Sequence, residues 1–574
     1  MTTVRLMWTR ARRELPGSVL AVVLVFLVVL PVAFIVVAAL STEVPRPGDA
    51  RIGTFTFDNF RILATSSGAR SLVNSAVIGA GAALVSLVVG ASLAFIAART
   101  DAPWRRFIFI VGMAPMFLPS IVGSLAWSLL ASPNTGYINI ALRDLGLPIT
   151  FDIYSYGGLI FVLGLYYAPY TFMLTYSSFS MVNSDLEEVA AVHGAGLGHL
   201  LRTVTLPLAV PALAGAAILS FTLAMENFPV NAILGNPANI DTLPTYIYRL
   251  MASSPVQANA AAGIAVALTA TVIVATYAQQ RVVNRKRFTT LTGKGNRPRP
   301  VPLRWGRWLA TGFAMLYFLV SVVLPILALV ATSTSGSVYI SRIADVFSRG
   351  FTLERFSAAV SQADFRTSMV NSILVAVLAA VIGTAIAFSS SYVRYRTTSR
   401  LGQLLEQVSM SPLAIPQVVL GIGILWAWLT LPFPVYGTIA ILVIATVAVT
   451  MPQAYRSVSA SMLQLDADLE SSAVILGARR FRAIRNITVP LMRTGIVSTL
   501  LLLLMLGMRE MSAVLFLYTS DTRVLSILVF HSFENGSITF SAAISLVFVA
   551  IIAVIAIATQ LVGIRERRFT DARV

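Results

Sequence analysis

Long apolar runs separated by short polar gaps fill almost the whole chain. Runs of 18 or more apolar residues are long enough to cross the hydrocarbon core of a bilayer as helices. Twelve can be read, in two sets of six: roughly 17–40, 70–98, 107–131, 157–181, 207–234 and 258–282, then roughly 308–332, 366–392, 403–431, 437–459, 490–518 and 539–563. The first follows Arg5, Arg10, Arg12 and Arg13 and looks like a signal peptide, but its run is too long for a cleaved one, so a retained anchor helix is expected. The pattern predicts an all-α integral membrane protein of about 12 transmembrane helices. Its expected parts are a six-helix half at 1–282, a cytoplasmic linker at 283–307 and a second six-helix half at 308–574.

The two halves share more than helix number. Phe55-Thr56-Phe57-Asp58-Asn59-Phe60 matches Phe351-Thr352-Leu353-Glu354-Arg355-Phe356 at a spacing of 296. Asn74-Ser75 matches Asn371-Ser372, and Pro115-x3-Pro119 matches Pro412-x3-Pro416, both at 297. Pro169 matches Pro452 at 283. The drop from 297 to 283 places a 14-residue excess in the first half, around Pro133 to Tyr154, on the external side. A long period with one indel signals duplication and fusion, not a solenoid. Six helices per unit give both units the same orientation, so they are parallel repeats about an axis along the membrane normal.

Composition refines this picture. Hydrophobic residues make up 57% and charged residues 11%, outside the range of soluble domains. The net charge of +18 would suggest nucleic acid if location were ignored. The bases instead cluster in alternate gaps: Arg99, Arg105 and Arg106; Arg394, Arg396 and Arg400; Arg479, Arg480, Arg482 and Arg485; Arg565, Arg567 and Arg568. That is the positive-inside pattern, which puts both termini in the cytoplasm and makes the lipid bilayer the partner. No basic stripe is interleaved with aromatics, so nucleic acid is not expected. The linker region from Arg281 to Arg307 holds nine basic residues and no acids around a Pro/Gly-rich middle. With no cysteine and three histidines, thiolate chemistry is excluded and a His-rich metal cage is out of reach.

One polar pattern recurs at 283. The first copy is Leu186-Glu187-Glu188-Val189-Ala190-Ala191-Val192-His193-Gly194-Ala195, with Pro207 thirteen residues after Gly194. The second is Leu469-Glu470-Ser471-Ser472-Ala473-Val474-Ile475-Leu476-Gly477-Ala478, followed by Pro490. Carboxylates favour a helix N-terminus and alanine favours helix. Gly194 and Gly477 permit a turn or a close backbone approach, and proline is tolerated in the first turn of the next helix. The spacing predicts a helix–turn–helix on the cytoplasmic face.

These residues resemble the membrane subunits of binding-protein-dependent ABC importers, whose signature is Glu-Ala-Ala, three residues, Gly, nine residues, Ile-x-Leu-Pro. The first copy keeps Glu188, Ala190, Gly194 and Val204-x-Leu206-Pro207; the second keeps Ala473, Gly477 and Ile487-x-Val489-Pro490. Val189 departs in the first copy and Ser471 and Ser472 in the second, with Glu470 one residue before the missing carboxylate. The resemblance implies a type I ABC importer-like fold. It also implies that Glu187, Glu188, Ala190, Ala191 and Gly194, with Glu470, Ser471, Ala473 and Gly477, dock on two copies of a separate ABC ATPase subunit. An extracytoplasmic substrate-binding protein would deliver cargo, in a bacterial inner membrane. No G-x-x-x-x-G-K-[ST] loop occurs, so ATP is expected to be used by the partner subunits, with no cofactor bound by this chain and no enzyme activity of its own.

Ionisable groups at membrane depth cost a few kcal/mol each and point to function. Glu226 and the adjacent Arg509 and Glu510 are the clearest; at 283, Glu226 aligns with Arg509 and Asn227 with Glu510. They lie roughly 20–30 Å along their helices from the motif prolines at 1.5 Å per residue. These four are expected to line a polar pathway or gate, to hold an interhelical ion pair between Glu226 and Arg509, or to do both. The stretches around them, with Leu243-Pro244-Thr245-Tyr246 and Val524-Leu525-Ser526-Ile527, are similar to fused ferric-iron importer permeases. The resemblance extends to permeases for thiamine, phosphonates, polyamines and sugars, and no carboxylate cage for Fe³⁺ stands out in the sequence. An ATP-independent secondary transporter can also have twelve helices in two parallel sixes. A non-transporting scaffold has no need of the duplication.

Overall fold

Apolar stretches that cannot hydrogen-bond to lipid must satisfy their backbone internally, and here they do so as helices. The computed structural model describes residues 17–44, 53–181, 197–285, 300–335, 342, 344, 352–466 and 468–571, and every segment named below lies within these. The first half contains α1 (Gly17–Ala39), α2 (Ser66–Arg99), α3 (Arg105–Phe117), α4 (Ser120–Ala131), α5 (Tyr137–Asp144), α6 (Tyr156–Ser180), α7 (Leu206–Glu226), α8 (Leu243–Ala252) and α9 (Ala258–Arg285). The second contains α10 (Gly306–Thr334), α11 (Glu354–Ser361), α12 (Ala363–Arg396), α13 (Leu401–Ala414), α14 (Gln417–Thr430), α15 (Ile439–Leu463), α16 (Asp468–Ile475), α17 (Arg480–Leu491), α18 (Arg493–Arg509), α19 (Leu525–Glu534) and α20 (Ile538–Asp571). Among the described residues nine helices are long and apolar enough to span, and three bent pairs bring the number to twelve if each pair is one span.

The bends depart from the straight helices expected at 107–131 and 403–431. α3 and α4 meet at 95°, α13 and α14 at 114°. The cause is the Pro-x3-Pro pattern. Leu118 and Ile415, each preceding a proline, are extended, as the proline ring forces on its predecessor. Pro119 and Pro416 then cap α4 and α14. The fifth spans also end early. α7 stops at Glu226 and α18 at Arg509, where Asn227 and Glu510 turn extended. Asn227 Oδ1 then accepts from the backbone of Val230 at 2.9 Å, and Glu510 Oε1 from Ala513 at 2.8 Å, so the aligned pair starts a new turn in each half. The chain leads from there to α8 and α19. Ser75 Oγ accepts from Leu243 N and Ser372 Oγ from Leu525 N, both at 2.7 Å, which is why Asn-Ser recurs. The extra residues of the first half hold α5, whose Tyr137 hydroxyl lies 2.8 Å from Thr332 Oγ1 of α10.

The two halves exchange their first helices. α1 packs on α14, and α10 on α3 and α4. Gly423 makes the first contact possible, because a Cβ there would come within 2.4 Å of Pro31 O. Tyr317 of α10 donates to Leu165 O at 3.3 Å, and Phe107 meets Phe318 edge-on at 5.8 Å. At the linker's far end, Val301 N donates to Arg99 O at 2.7 Å and Leu303 N to Asp101 Oδ1 at 2.9 Å. The second half is thereby clipped to the basic end of α2.

Candidate functional site

Glu226, Asn227, Arg509 and Glu510 line one cavity of about 170 Å³. The rest of its wall is Ser120, Tyr166, Tyr167, Tyr170, Leu223, Pro229, Gln417, Val449, Thr450, Gln453, Leu506, Met511 and Ser512. At the repeat spacings these residues pair. Ser120 matches Gln417 at 297; Tyr166 matches Val449, Tyr167 Thr450, Tyr170 Gln453, Leu223 Leu506, Glu226 Arg509, Asn227 Glu510 and Pro229 Ser512 at 283. A cavity bounded by both members of each pair straddles the pseudo-two-fold axis relating the halves. The backbone around it is near-symmetric and the chemistry is not. Three phenols on α6 face Val449, Thr450 and Gln453 on α15.

The cavity does not contain the ion pair expected between Glu226 and Arg509. The Arg509 guanidinium instead donates to Met116 O and to the Tyr166 hydroxyl, and its centre lies 5.9 Å from the Tyr166 ring. Met116 and Tyr166 belong to the first half, so this second-half arginine crosses the interface. Glu226 makes no hydrogen bond or ion pair with another described residue. It also lines a second cavity of about 80 Å³ with Thr222, Gln279, Gln417 and Gln453. Thr222 lies one turn before Glu226 on α7, on the side of the basic helix ends, so Glu226 stands where the two cavities meet. Tyr167 is occupied: its hydroxyl donates to Leu223 O at 2.8 Å and accepts from Asn227 Nδ2 at 2.9 Å. Among the described residues no group of three or more His, Cys, Asp or Glu could hold a metal ion.

The first copy of the polar motif, Glu187, Glu188, Ala190, Ala191 and Gly194, lies outside the described residues. The second copy is α16, a turn and α17. Asp468 and Glu470 stand in the first turn of α16. Gly477 has φ 92°, its N–H donates to Val474 O at 3.0 Å, and Ala478 N donates to Ala473 O at 3.0 Å. This is a Schellman stop, where the left-handed position favours glycine. A Cβ on Gly477 would meet nothing within 4 Å, so turning, not close approach, explains this glycine. Ser471 is exposed and Ala473 half-buried, while Glu470 points inward and is 7% exposed. Around the turn Ile475, Leu476 and Phe481 are 84%, 88% and 76% exposed, an apolar tip with no cover among the described residues.

The three phenols and Gln453 were not singled out from sequence. The 283 spacing pairs Tyr170 with Gln453, but only the packing of α6 and α15 brings them to the cavity.

An all-helical chain with parallel six-helix repeats and a polar cavity on their common axis is a membrane transport protein. The family model of the binding-protein-dependent transport system inner membrane component matches residues 62–288 and 379–569. The chain belongs to that family, the permeases of ABC importers. It is 24% identical over 511 residues to the ferric transport system permease protein of Actinobacillus pleuropneumoniae, covering 88% of this chain and 72% of that protein. It is 31% identical over 279 residues to the trehalose transport system permease protein of Mycobacterium tuberculosis, covering 48% of this chain and 96% of that one. Among solved structures, a bacterial ABC transporter involved in alginate import aligns with 48% of this chain and 98% of its own at 20% identity, with a TM-score of 0.39.

Proposed function

We propose that this chain forms the translocation pathway of an ATP-driven importer whose cargo is ferric iron. The axial cavity carries the reading. It is placed where two halves that rock against each other would open and close a path, and its lining changes chemistry across the axis. Two carboxylates, Glu226 and Glu510, and the phenols of Tyr166 and Tyr170 offer hard oxygen donors suited to a hard cation. Two charged ligands make a weak site, as conduction requires, since cargo must leave as well as enter. A cavity of about 170 Å³ suits an ion with a few ligands better than a disaccharide. The ferric relative, matched along most of this chain, supports the same cargo.

In this reading the basic ends of the helices, and both termini, are cytoplasmic. The apolar tip of Ile475, Leu476 and Phe481 sits in a groove of one ATPase subunit, and the segment of Glu187, Glu188, Ala190, Ala191 and Gly194 on a second copy. A substrate-binding protein delivers cargo to the opposite face. The chain hydrolyses no ATP itself. Residues 1–282 and 308–574 act as the two rocking units, joined by 283–307.

The test is uptake into proteoliposomes holding this chain, its ATPase and its binding protein. We expect ATP-dependent accumulation of radioactive iron supplied as ferric citrate. Accumulation of trehalose or a phosphonate and not iron would change the cargo. The unpaired Glu226 favours one second reading, ion-coupled transport. Full uptake driven by a pH gradient with no ATPase present would establish it and sink the first.

A further inference from the structure

Glu470 stands one residue before the place where the importer signature has its carboxylate, and its side chain is turned away from the exposed docking tip. Its Oε1 accepts from the Tyr392 hydroxyl near the end of α12. Its Oε2 accepts from Thr488 Oγ1 of α17 at 3.0 Å. Arg480, also of α17, reaches it at 3.7 Å, donates to the Tyr392 hydroxyl at 3.0 Å and places its guanidinium 5.6 Å from the Tyr392 ring. Arg480 further donates to Arg396 O, the last residue of α12. Arg396 in turn donates to Met462 O at 3.1 Å and Leu465 O at 2.7 Å, at the end of α15. The buried carboxylate thus ties α16 and α17 to α12, whose Arg396 is in turn held on the end of α15.

The first half has different residues at these positions. Phe95 stands at the place of Tyr392 and Leu197 at that of Arg480, while Glu187 and Thr205 match Glu470 and Thr488. Phe95 packs edge-on against Phe179 at 5.8 Å, an apolar contact. The hydroxyl and the guanidinium that hold Glu470 therefore belong to the second half.

We propose that Glu470 is a positioning residue that transmits movement of the second docking segment to α12, through Tyr392 and Arg480, and does not itself touch the ATPase. This rests on α16–α17 being a docking segment. Truncating the buried carboxylate takes the acceptor from the Tyr392 and Thr488 hydroxyls and the counter-charge from Arg480, which keeps only its bonds to the Tyr392 hydroxyl and Arg396 O, so the segment follows α12 less tightly. The ATPase would still bind, because the exposed tip is unchanged. Ion-pair networks of this kind show their worth as non-additivity.

The experiment uses the full importer in proteoliposomes, with Glu470→Ala, Tyr392→Phe and the double variant. Glu470→Ala is expected to retain its ATPase subunits and continue hydrolysing ATP, with cargo moved per ATP falling at least tenfold. Tyr392→Phe should lower that ratio about threefold, and the double variant should be no worse than Glu470→Ala. The chain has no cysteine, so spin labels at Thr397→Cys and Ser472→Cys report the α12-to-α16 distance directly. Its distribution should broaden in both variants. Loss of ATPase binding in Glu470→Ala with an unchanged distance distribution would make Glu470 a docking contact and overturn the proposal. So would an unchanged ratio of cargo to ATP in a folded Glu470→Ala complex. If Glu470→Ala fails to fold, Tyr392→Phe decides by the same ratio, and an unchanged ratio there overturns the proposal. A wild-type chain that binds no ATPase would instead refute the docking assignment beneath it.

Discussion

Arg509 and Glu226 occupy aligned positions with opposite charge, yet each meets a different environment. The arginine has first-half acceptors within reach, Met116 O and Tyr166, and an arginine presents several donors that a single carboxylate does not exhaust. Arg509 is therefore a bridge between halves, and Glu226 is left facing cavity. Because they do not pair, Glu226→Arg combined with Arg509→Glu should not restore uptake lost in either single variant. Rescue in the uptake assay would contradict the observed partners. A second comparison concerns three buried hydroxyls, Ser86, Thr171 and Ser220, within 2.7–3.1 Å of one another between α2, α6 and α7. At the aligned positions the second half has Gly383, Ala454 and Leu503, and the leucine fills the space of the triangle. Thr171→Val should cost about 1 kcal/mol, in line with interhelical hydrogen bonds in membranes. Unfolding in a denaturing detergent series measures it.

The exchange of first helices sets what each helix can tolerate. α1 lies on α14 closely enough that the backbone of Pro31 occupies the space of a side chain at 423. Gly423→Val should push α1 off α14, destabilising the fold by roughly 1–3 kcal/mol, as overpacking does. A lowered Tm of the purified protein in detergent would register the disruption, and an unchanged Tm would show that α1 yields at no cost. The bent pairs were partly readable in advance. Pro-x3-Pro in both halves was visible as a repeat, but angles of 95° and 114° depend on what the second arm packs against. The early end of α7 and α18 was not visible, because the apolar run continues past Glu226 and Arg509 and hydropathy does not register a capping side chain.

The exchange also makes the molecule one assembly and not two joined ones. A cut within 286–299, with the halves co-expressed, should yield halves that co-purify, since α1 and α10 each need the other half for cover. Halves that elute separately and fold alone would show the exchange to be dispensable. Duplication supplies two copies of the motif; Tyr392 and Arg480 surround the buried glutamate of the second, and the sequence has Phe95 and Leu197 at the matching positions of the first half.

The apolar spans, the duplication, its 283 and 297 spacings, the extra segment of the first half and the motif were all set by local composition and order, because lipid enforces hydropathy and a repeat is a property of the string itself. Aligning Glu226 with Arg509 likewise needed no coordinates. Which side chains meet did not follow from alignment. The phenols join the cavity because α6 happens to face the axis, Arg509 finds Tyr166 because the halves are interlocked, and Glu470 is buried because α16 folds back beneath α12. Each depends on distances between segments remote in sequence, and those are set by packing alone.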